Sequence, residues 1–355
     1  MENESIYNGK PSIVLPKRPF FSIIIACYNS GKYLTKLLNS IEDQSMNDEI
    51  EVILADDHST ESYQDIVDLY KDSLSIRQVI TDYNFAPGNT REKGVSVAEG
   101  EWIIFADHDD YFVENTLPIV KDAILENDEK YHAIANFREV DQEGNILQHF
   151  RRTRNWCHAK FYNLDNLWKA YNIHFKHNLK THEDICVSSQ IQCAMHTINN
   201  DNPLYLDIEI YNWVANPESL SRTKYRVDKS FTETYFRQYI ESTCDTYLEF
   251  YLTNRIDREY AIHSCIDCLL YLYFYINGFI FHHPEDYIRE NIGYARDFYL
   301  KAKKIFNLTN KDVYNAAAAN DAQWYMVVRD SAAISAGPYV TQITLKDFLD
   351  LLDHD

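Results

Sequence analysis

Glycine is scarce in this sequence, 9 of 355 residues, while tyrosine reaches 27. That balance suits helices and aromatic contact surfaces and argues against long flexible loops; no internal repeat is visible. Basic charge is also short: 34 Lys and Arg face 54 Asp and Glu, for a formal net charge of −20. A far field of that sign repels polyanions, so stable nucleic-acid binding is not expected, although a local basic patch could override it. The seven cysteines, an odd number, follow no framework spacing. Cys265-x-x-Cys268 sits in an apolar helical stretch without a second pair, so reduced core thiols in a cytoplasmic protein are expected. No apolar run makes a clean membrane span. Cys265 to Phe281 carries Asp267 and Asn277 and reads as a buried helix, with peripheral membrane contact as the lesser alternative. The polar start, with two Glu in its first four residues, predicts no signal peptide.

What is present is a globular composition, 45% hydrophobic and 25% charged, at a length that suits two domains. After a polar leader (1–19), buried strands are predicted at Phe21–Cys27, Glu51–Ala55, Ser75–Thr81 and Trp102–Ala106. Helices alternate with them: one carrying Leu34, Leu37, Leu38 and Ile41, one capped by Ser59 or Thr60, and one over Thr90–Ala98. Nearly all-apolar strands alternating with helices predict an α/β, Rossmann-like, mostly parallel sheet flanked by helices. Further on come a helix over 114–127, strands near 131–138 and 146–150, and an irregular stretch from Trp156 to Lys180. A helix from Thr181 or Glu183 follows, then strand-like pieces at Leu204–Leu206 and Glu209–Val214. From about 229 the chain reads as helical, giving a catalytic domain (20–225) and an all-helical C-terminal domain (226–355).

Two acidic clusters end two of these strands: Asp56-Asp57, and Asp107, Asp109 and Asp110. In an open α/β sheet the carboxyl ends of strands are where ligands bind. Carboxylates so close raise one another's pKa unless a cation sits among them, and Mg²⁺ or Mn²⁺ takes carboxylate and phosphate oxygens together. A nucleotide diphosphate-sugar suits both clusters, offering base N–H and ribose hydroxyl donors to one and a cation-bound diphosphate to the other.

Phe21-Ser-Ile-Ile-Ile-Ala26-Cys27-Tyr28-Asn29, Ala55-Asp56-Asp57-His58-Ser59-Thr60, Gly88-Asn-Thr-Arg91-Glu92-Lys93-Gly94 and Ala106-Asp107-His108-Asp109-Asp110 come in that order. His158-Ala-Lys160-Phe-Tyr162, His182-Glu183-Asp184 and Tyr211-x-x-x-x-Asn216-Pro217-x-Ser219-Leu220 follow them. Together these resemble the family 2, GT-A-fold glycosyltransferases over roughly residues 20–222. The resemblance implies that Ala26 and Tyr28 embrace the base and that Asp57, beside Asp56, faces the uracil. Arg91 or Lys93 would contact the diphosphate, and Asp107, His108 and Asp109 would form the Asp-x-Asp motif. Asp109, with Asp107 or Asp110, would hold Mn²⁺ or Mg²⁺. Asp184 would be the general base and Glu183 its positioning partner. His58, His108 and Glu92 stand where Gly, Ser or Cys, and Asn are usual. A Gln-x-x-Arg-Trp motif and transmembrane helices, expected of processive synthases, are absent, so an inverting transfer of one sugar is expected. The donor is expected to be UDP-linked. The acceptor hydroxyl would lie on a glycan, a polyol-phosphate polymer, a protein or a modified nucleobase.

Plainer readings stand beside these. Asp56-Asp57 could cap the next helix, and Glu183-Asp184 could be first-turn acids favoured by the helix dipole. His174, His177 and His182 suggest hydrogen bonding more than zinc. Arg151, Arg152 and Arg154 read by default as a solvated loop, with a clamp for an anionic acceptor or the diphosphate as the alternative. Rival functions are a Mg²⁺-dependent phosphohydrolase built on Asp107-His108-Asp109, and a non-catalytic nucleotide-sugar scaffold. The apolar helical domain would serve acceptor binding or oligomerisation, for example as a homodimer.

Overall fold

Phe21–Cys27 (β1), Ile50–Asp56 (β2), Ser75–Ile80 (β3) and Trp102–Asp107 (β4) lie parallel in the spatial order β3-β2-β1-β4. In this computed structural model, residues 15, 17–84, 86–154, 156–177, 179, 182–199, 202–217, 237–280, 286–319 and 345–353 are described. The chain divides into two units, Met1–Thr223 and Lys224–Asp355. Most of the expected leader, the boundary near 225, and Thr181, Ser219 and Leu220 lie outside the described residues.

Alternation along the strands builds a core on each face of the sheet. Ile23 and Ile25 of β1 pack with Leu34, Leu37, Leu38 and Ile41 of α1 (Gly31–Glu42). Burying each of these side chains is worth about 1.5–3 kcal/mol. Ile24, Ile53 and Phe105 face the other way, against Val95 of α3 (Pro87–Val95) and Val187 and Ile191 of α5 (Glu183–Thr197). Gly94 lets α3 sit this close, since a Cβ there would lie 2.4 Å from Ile24 Cγ2.

The rest of the sheet is mixed. Lys160–Asn163 (β8) pairs antiparallel with β4 and with His132–Val140 (β6), and Leu204–Val214 (β9) runs parallel to β6. Tyr111–Phe112 (β5) and Ile146–Phe150 (β7) pair antiparallel with β9 and β6. The helices α2 (Gln64–Leu69) and α4 (Leu117–Leu125) complete the unit.

Several elements differ from expectation. α2 starts after Tyr63 with no side-chain cap; Ser59 and Thr60 instead bond to Asp56 and Asn29. α3 begins at Pro87, which fits the first helical turn where its missing N–H costs nothing. Part of the stretch expected to be irregular forms β8, completely buried, and a π-helical turn over Leu164–Lys169. The two pieces around 206–209 are one strand whose register shifts opposite Asn136, where the Asn136 amide donates to Asp207 Oδ1 at 2.9 Å.

In the second unit a π-helical turn, Ile240–Cys244, leads into α6 (Asp245–Leu252), followed by α7 (Arg258–Ile280), α8 (Asp286–Phe306), α9 (Asn310–Ala319) and α10 (Leu345–Asp353). Among the described residues no helix is long and apolar enough to cross a membrane. All seven cysteines are buried thiols.

His132 is buried in the sheet, stacked on Tyr162 at 5.1 Å, with Nε2 lacking a hydrogen-bond partner. Burial, then the charges of Lys160 and Arg154, push its pKa down to about 3. The folded state therefore refuses a proton that the unfolded chain takes up below its ordinary value of 6.5. Stability should fall by about 1.4 kcal/mol per pH unit as the pH drops below that value. Urea unfolding of wild type and His132→Phe between pH 7 and pH 5 checks this: the variant should show the shallower pH slope.

Candidate active site

The chain runs from β1 outward through β2 and β3, then returns to place β4 on β1's other side. The crevice of such a sheet opens where the order reverses, at the carboxyl ends of β1 and β4. His108 Nδ1 lies 3.1 Å from the Ala26 carbonyl, a contact that requires the proton on Nδ1 and joins the two ends. On the other side of β1, the Asp57 amide donates to the Cys27 carbonyl at 2.8 Å, and Asp57 Oδ1 accepts from Thr81 Oγ1. Tyr28, half-exposed, follows directly on β1. Asp56 Oδ1 accepts from the Ser59 amide and hydroxyl, so Asp56 folds its own turn. His58, at a usual glycine position of the resembled family, has φ +63°. The left-handed backbone explains the preference for glycine, and Nδ1 lies 3.2 Å from the Thr81 carbonyl.

Arg91 is the centre of the cluster. Its Nη2 donates to Asp107 Oδ1 at 2.6 Å and its Nη1 to Glu183 Oε1 at 2.9 Å. Burial works against the guanidinium's charge, but Asp107 and Glu183 outweigh it and raise its pKa. Asp107 is likewise held below its ordinary range: burial opposes ionisation, while Arg91 and then His158 favour it. Gly88 permits the approach of α3 to α5, because a Cβ there would lie 3.0 Å from Glu183 Cβ. Lys93, two residues further and so about 200° round the helix, is exposed. Arg91, not Lys93, therefore joins the cluster.

The three acids after β4 have separate surroundings. Asp109 Oδ2 accepts from the Asn216 side chain at 2.8 Å, and the Asp107 amide donates to the Tyr211 hydroxyl at 2.9 Å. Asp110 is buried, and its Oδ1 accepts from the Val214 amide at 2.7 Å. Burial, then Asp107 and Asp109, push its pKa well up. Through Oδ1 Asp110 fastens β9 to the end of β4, while its buried Oδ2 has no hydrogen-bond partner. Among the described residues no three His, Cys, Asp or Glu side chains converge as a protein-only metal cage. Asp107 Oδ2 and Asp109 Oδ1, however, remain without a hydrogen-bond partner there. Two such oxygens fit Mg²⁺ or Mn²⁺, which is held by one or two carboxylates and completed by substrate phosphates.

Asp184 opens α5 beside Glu183, and its Oδ1 accepts from the Ile185 amide at 2.8 Å. Burial and the like charge of Glu183 raise its pKa to about 7, against the pull of Arg91 and Lys160. Lys160 is almost fully buried and its Nζ donates to the Trp156 carbonyl; burial lowers its pKa to about 8. His182 precedes α5 with φ +63°, and burial lowers its pKa to about 4. His174 Nδ1 meets the Asn172 carbonyl at 2.8 Å, a backbone contact. A cavity of about 620 Å³ lined by Tyr131, Asn166 and Tyr171 holds none of these residues. Sequence reasoning missed Ser188, which lies on α5 four residues after Asp184 and was reachable by helical spacing.

A parallel half-sheet with an acid pair beyond β2, an Asp-x-Asp after β4 and an acid pair opening α5 is the arrangement that the resemblance to GT-A-fold glycosyltransferases implies. Residues 22–185 match the family model described as Glycosyl transferase family 2, and this segment of the chain belongs to that family. The poly(ribitol-phosphate) β-N-acetylglucosaminyltransferase TarS of Staphylococcus aureus strain MW2 is 33% identical over 181 residues, covering 46% of this chain and 31% of TarS. The poly(ribitol-phosphate) β-glucosyltransferase of Bacillus spizizenii is 37% identical over 99 residues, 27% of this chain and 16% of the relative. These matches thus span a third or less of the relatives' own length. The crystal structure of S. aureus TarS 1–349 in complex with UDP-GlcNAc superposes with a TM-score of 0.64 at 22% identity, over 91% of this chain and 94% of that one. This likeness establishes the fold.

Replacing Arg91 by Met should leave the carboxylate of Glu183 without its cation. Breaking a buried pair costs about 3–5 kcal/mol. Arg91→Lys should recover only part, since an ammonium does not reproduce the planar fork that spans two carboxylates. Chemical denaturation of the three proteins reads the difference; equal midpoints for Met and wild type would show that the bridge contributes nothing.

Proposed function

We propose that the protein transfers one sugar at a time from a UDP-linked donor to a hydroxyl of a polyol-phosphate polymer, inverting the anomeric configuration. The observation that carries this reading is the Asp107–Arg91–Glu183 bridge, which ties the end of β4 to the residue beside Asp184. The names of the two relatives support the acceptor class, and the UDP-GlcNAc complex of TarS makes that sugar nucleotide the first donor to test. Family membership of residues 22–185 weighs against the phosphohydrolase reading.

Tyr28 packs beside the base and Asp57 accepts from it. Asp107 and Asp109 would hold Mn²⁺ or Mg²⁺, which when bound would supply Lewis-acid neutralisation of the leaving nucleotide. Asp184 takes the acceptor hydroxyl's proton as its oxygen bonds to the anomeric carbon, and the bond from that carbon to the UDP oxygen breaks on the opposite side. Glu183, fixed by Arg91, orients the first turn of α5 and so the base. The helical unit serves acceptor binding or pairing of two chains. The buried thiols support a reducing, cytoplasmic setting.

A base with a pKa near 7 is ionised only above it, so kcat should rise as the pH rises through about 7 and fall away below. Glu183→Gln removes the like charge and should move that limb to lower pH. Asp184→Asn should lower transfer by about 10²–10⁴-fold with UDP affinity retained. A pH profile of UDP-GlcNAc turnover, with and without a ribitol-phosphate acceptor, reads all three. Full activity of Asp184→Asn would remove the base assignment. Asp109→Ala should abolish the Mn²⁺-dependent part of UDP affinity in calorimetry.

A further inference from the structure

Three arginines in a chain of net charge −20 stand together on the loop between β7 and β8: Arg151, Arg152 and Arg154, all exposed. Among the described residues none of the three guanidinium groups has a carboxylate within ion-pair distance. They are nonetheless organised. Arg152 and Arg154 lie 5.3 and 5.9 Å from the ring centre of Tyr205 on β9, and Arg154 donates from Nε and Nη2 to the Tyr205 hydroxyl at 2.9 and 2.7 Å. The loop backbone is pinned where Asn136 Oδ1 accepts from the Arg152 amide and where Ser188 Oγ donates to the Arg154 carbonyl at 2.7 Å. Ser188 lies on α5 one helical turn beyond Asp184. From Trp156, two residues after Arg154, a stack of flat rings runs through His158 to Tyr211, whose hydroxyl meets the Asp107 amide.

We infer that this loop is a binding subsite for the phosphodiester groups of the acceptor polymer, with Arg151, Arg152 and Arg154 as its cations and Tyr205 as the platform that preorders two of them. The inference rests on the transferase reading above and gives the acceptor a location. A guanidinium pairs bidentately with phosphate oxygens, and one resting on an aromatic face loses less freedom when it does so. The position favours acceptor over donor. The donor's base and diphosphate are assigned to the ends of β1, β2 and β4, whereas the loop is fastened to α5 beyond the base that receives the acceptor's proton. A local cationic patch also answers how a strongly acidic protein could retain a polyanionic polymer.

The test is binding of a ribitol-phosphate oligomer to the full chain without donor, by fluorescence anisotropy over a salt series. Three phosphate contacts give a log–log salt slope of about −2, so wild type should bind about 15-fold more weakly at 200 mM than at 50 mM salt. A chain carrying Arg151→Ala, Arg152→Ala and Arg154→Ala should bind at least about tenfold more weakly at 50 mM and show a nearly flat salt response. The triple Lys counterpart should keep most of the slope. UDP affinity, measured on the same samples, reports the fold and the donor site separately. Loss of UDP binding in the Ala variant would place the arginines in the nucleotide site and overturn the inference. So would oligomer affinity within about twofold of wild type, or equal binding of an uncharged oligosaccharide of the same length. Absence of UDP binding in wild type would instead strike at the transferase reading itself.

Discussion

The Arg91 guanidinium, shared between Asp107 and Glu183, is the interaction on which the candidate site depends. Asp107 belongs to the parallel sheet and Glu183 to a helix that begins 76 positions later in the sequence, 183 less 107. One planar cation with two donor edges fixes the distance between them, which an ammonium on a flexible stem would do poorly. Through that bridge the end of β4 and the start of α5 become one surface. The glycine at position 88 is part of the same constraint, because a side chain there would press on Glu183.

Gathering acids at one edge of a sheet is costly unless each carboxylate has a compensating partner. The structure provides a different one each time. Asp56 takes the donors of its own turn, Asp57 the Thr81 hydroxyl, Asp107 the guanidinium, Asp109 the Asn216 amide and Asp110 the β9 backbone. Asp107 has a formal cation, Arg91, within ion-pair distance. The outermost acid, Asp110, has a structural contact through one oxygen. Its burial and its hydrogen bond to Val214 make it the clasp between β4 and the last strand.

Most of the first unit was legible because its strands are short apolar runs that end in polar turns. β1 to β4, the two acid clusters and α5 all follow from local pattern. Elements set by long-range pairing were less so. Lys160–Asn163 is a strand because β4 and β6 flank it, and its lysine gives it no apolar signature. The predicted Ser59 or Thr60 cap failed because those hydroxyls had better partners in Asp56 and Asn29, across the β1 turn. Neither the sharing of Arg91 nor the inward turn of Asp110 could be read from spacing, since three acids within four positions look alike until their neighbours are placed. His58 was legible only as a departure from the resembled motif; its left-handed backbone supplies the reason glycine is usual there.

The same arginine that organises the edge also acts on Asp184, the base of the proposed reaction. Burial and Glu183 drive Asp184 toward the protonated state, while Arg91 and Lys160 pull it back, and the balance falls near neutrality. Those cations favour the ionised carboxylate, the form that could accept a proton. With a closer one it would be a weak base, as Asp107, directly paired, is. Placing Glu183 between Arg91 and Asp184 separates the two carboxylates' roles: the inner acid takes the salt bridge, and the next residue keeps its basicity. An adjacent acid pair at the head of a helix thus holds one carboxylate in a salt bridge and leaves the other outside it, a difference produced by which carboxylate the guanidinium reaches.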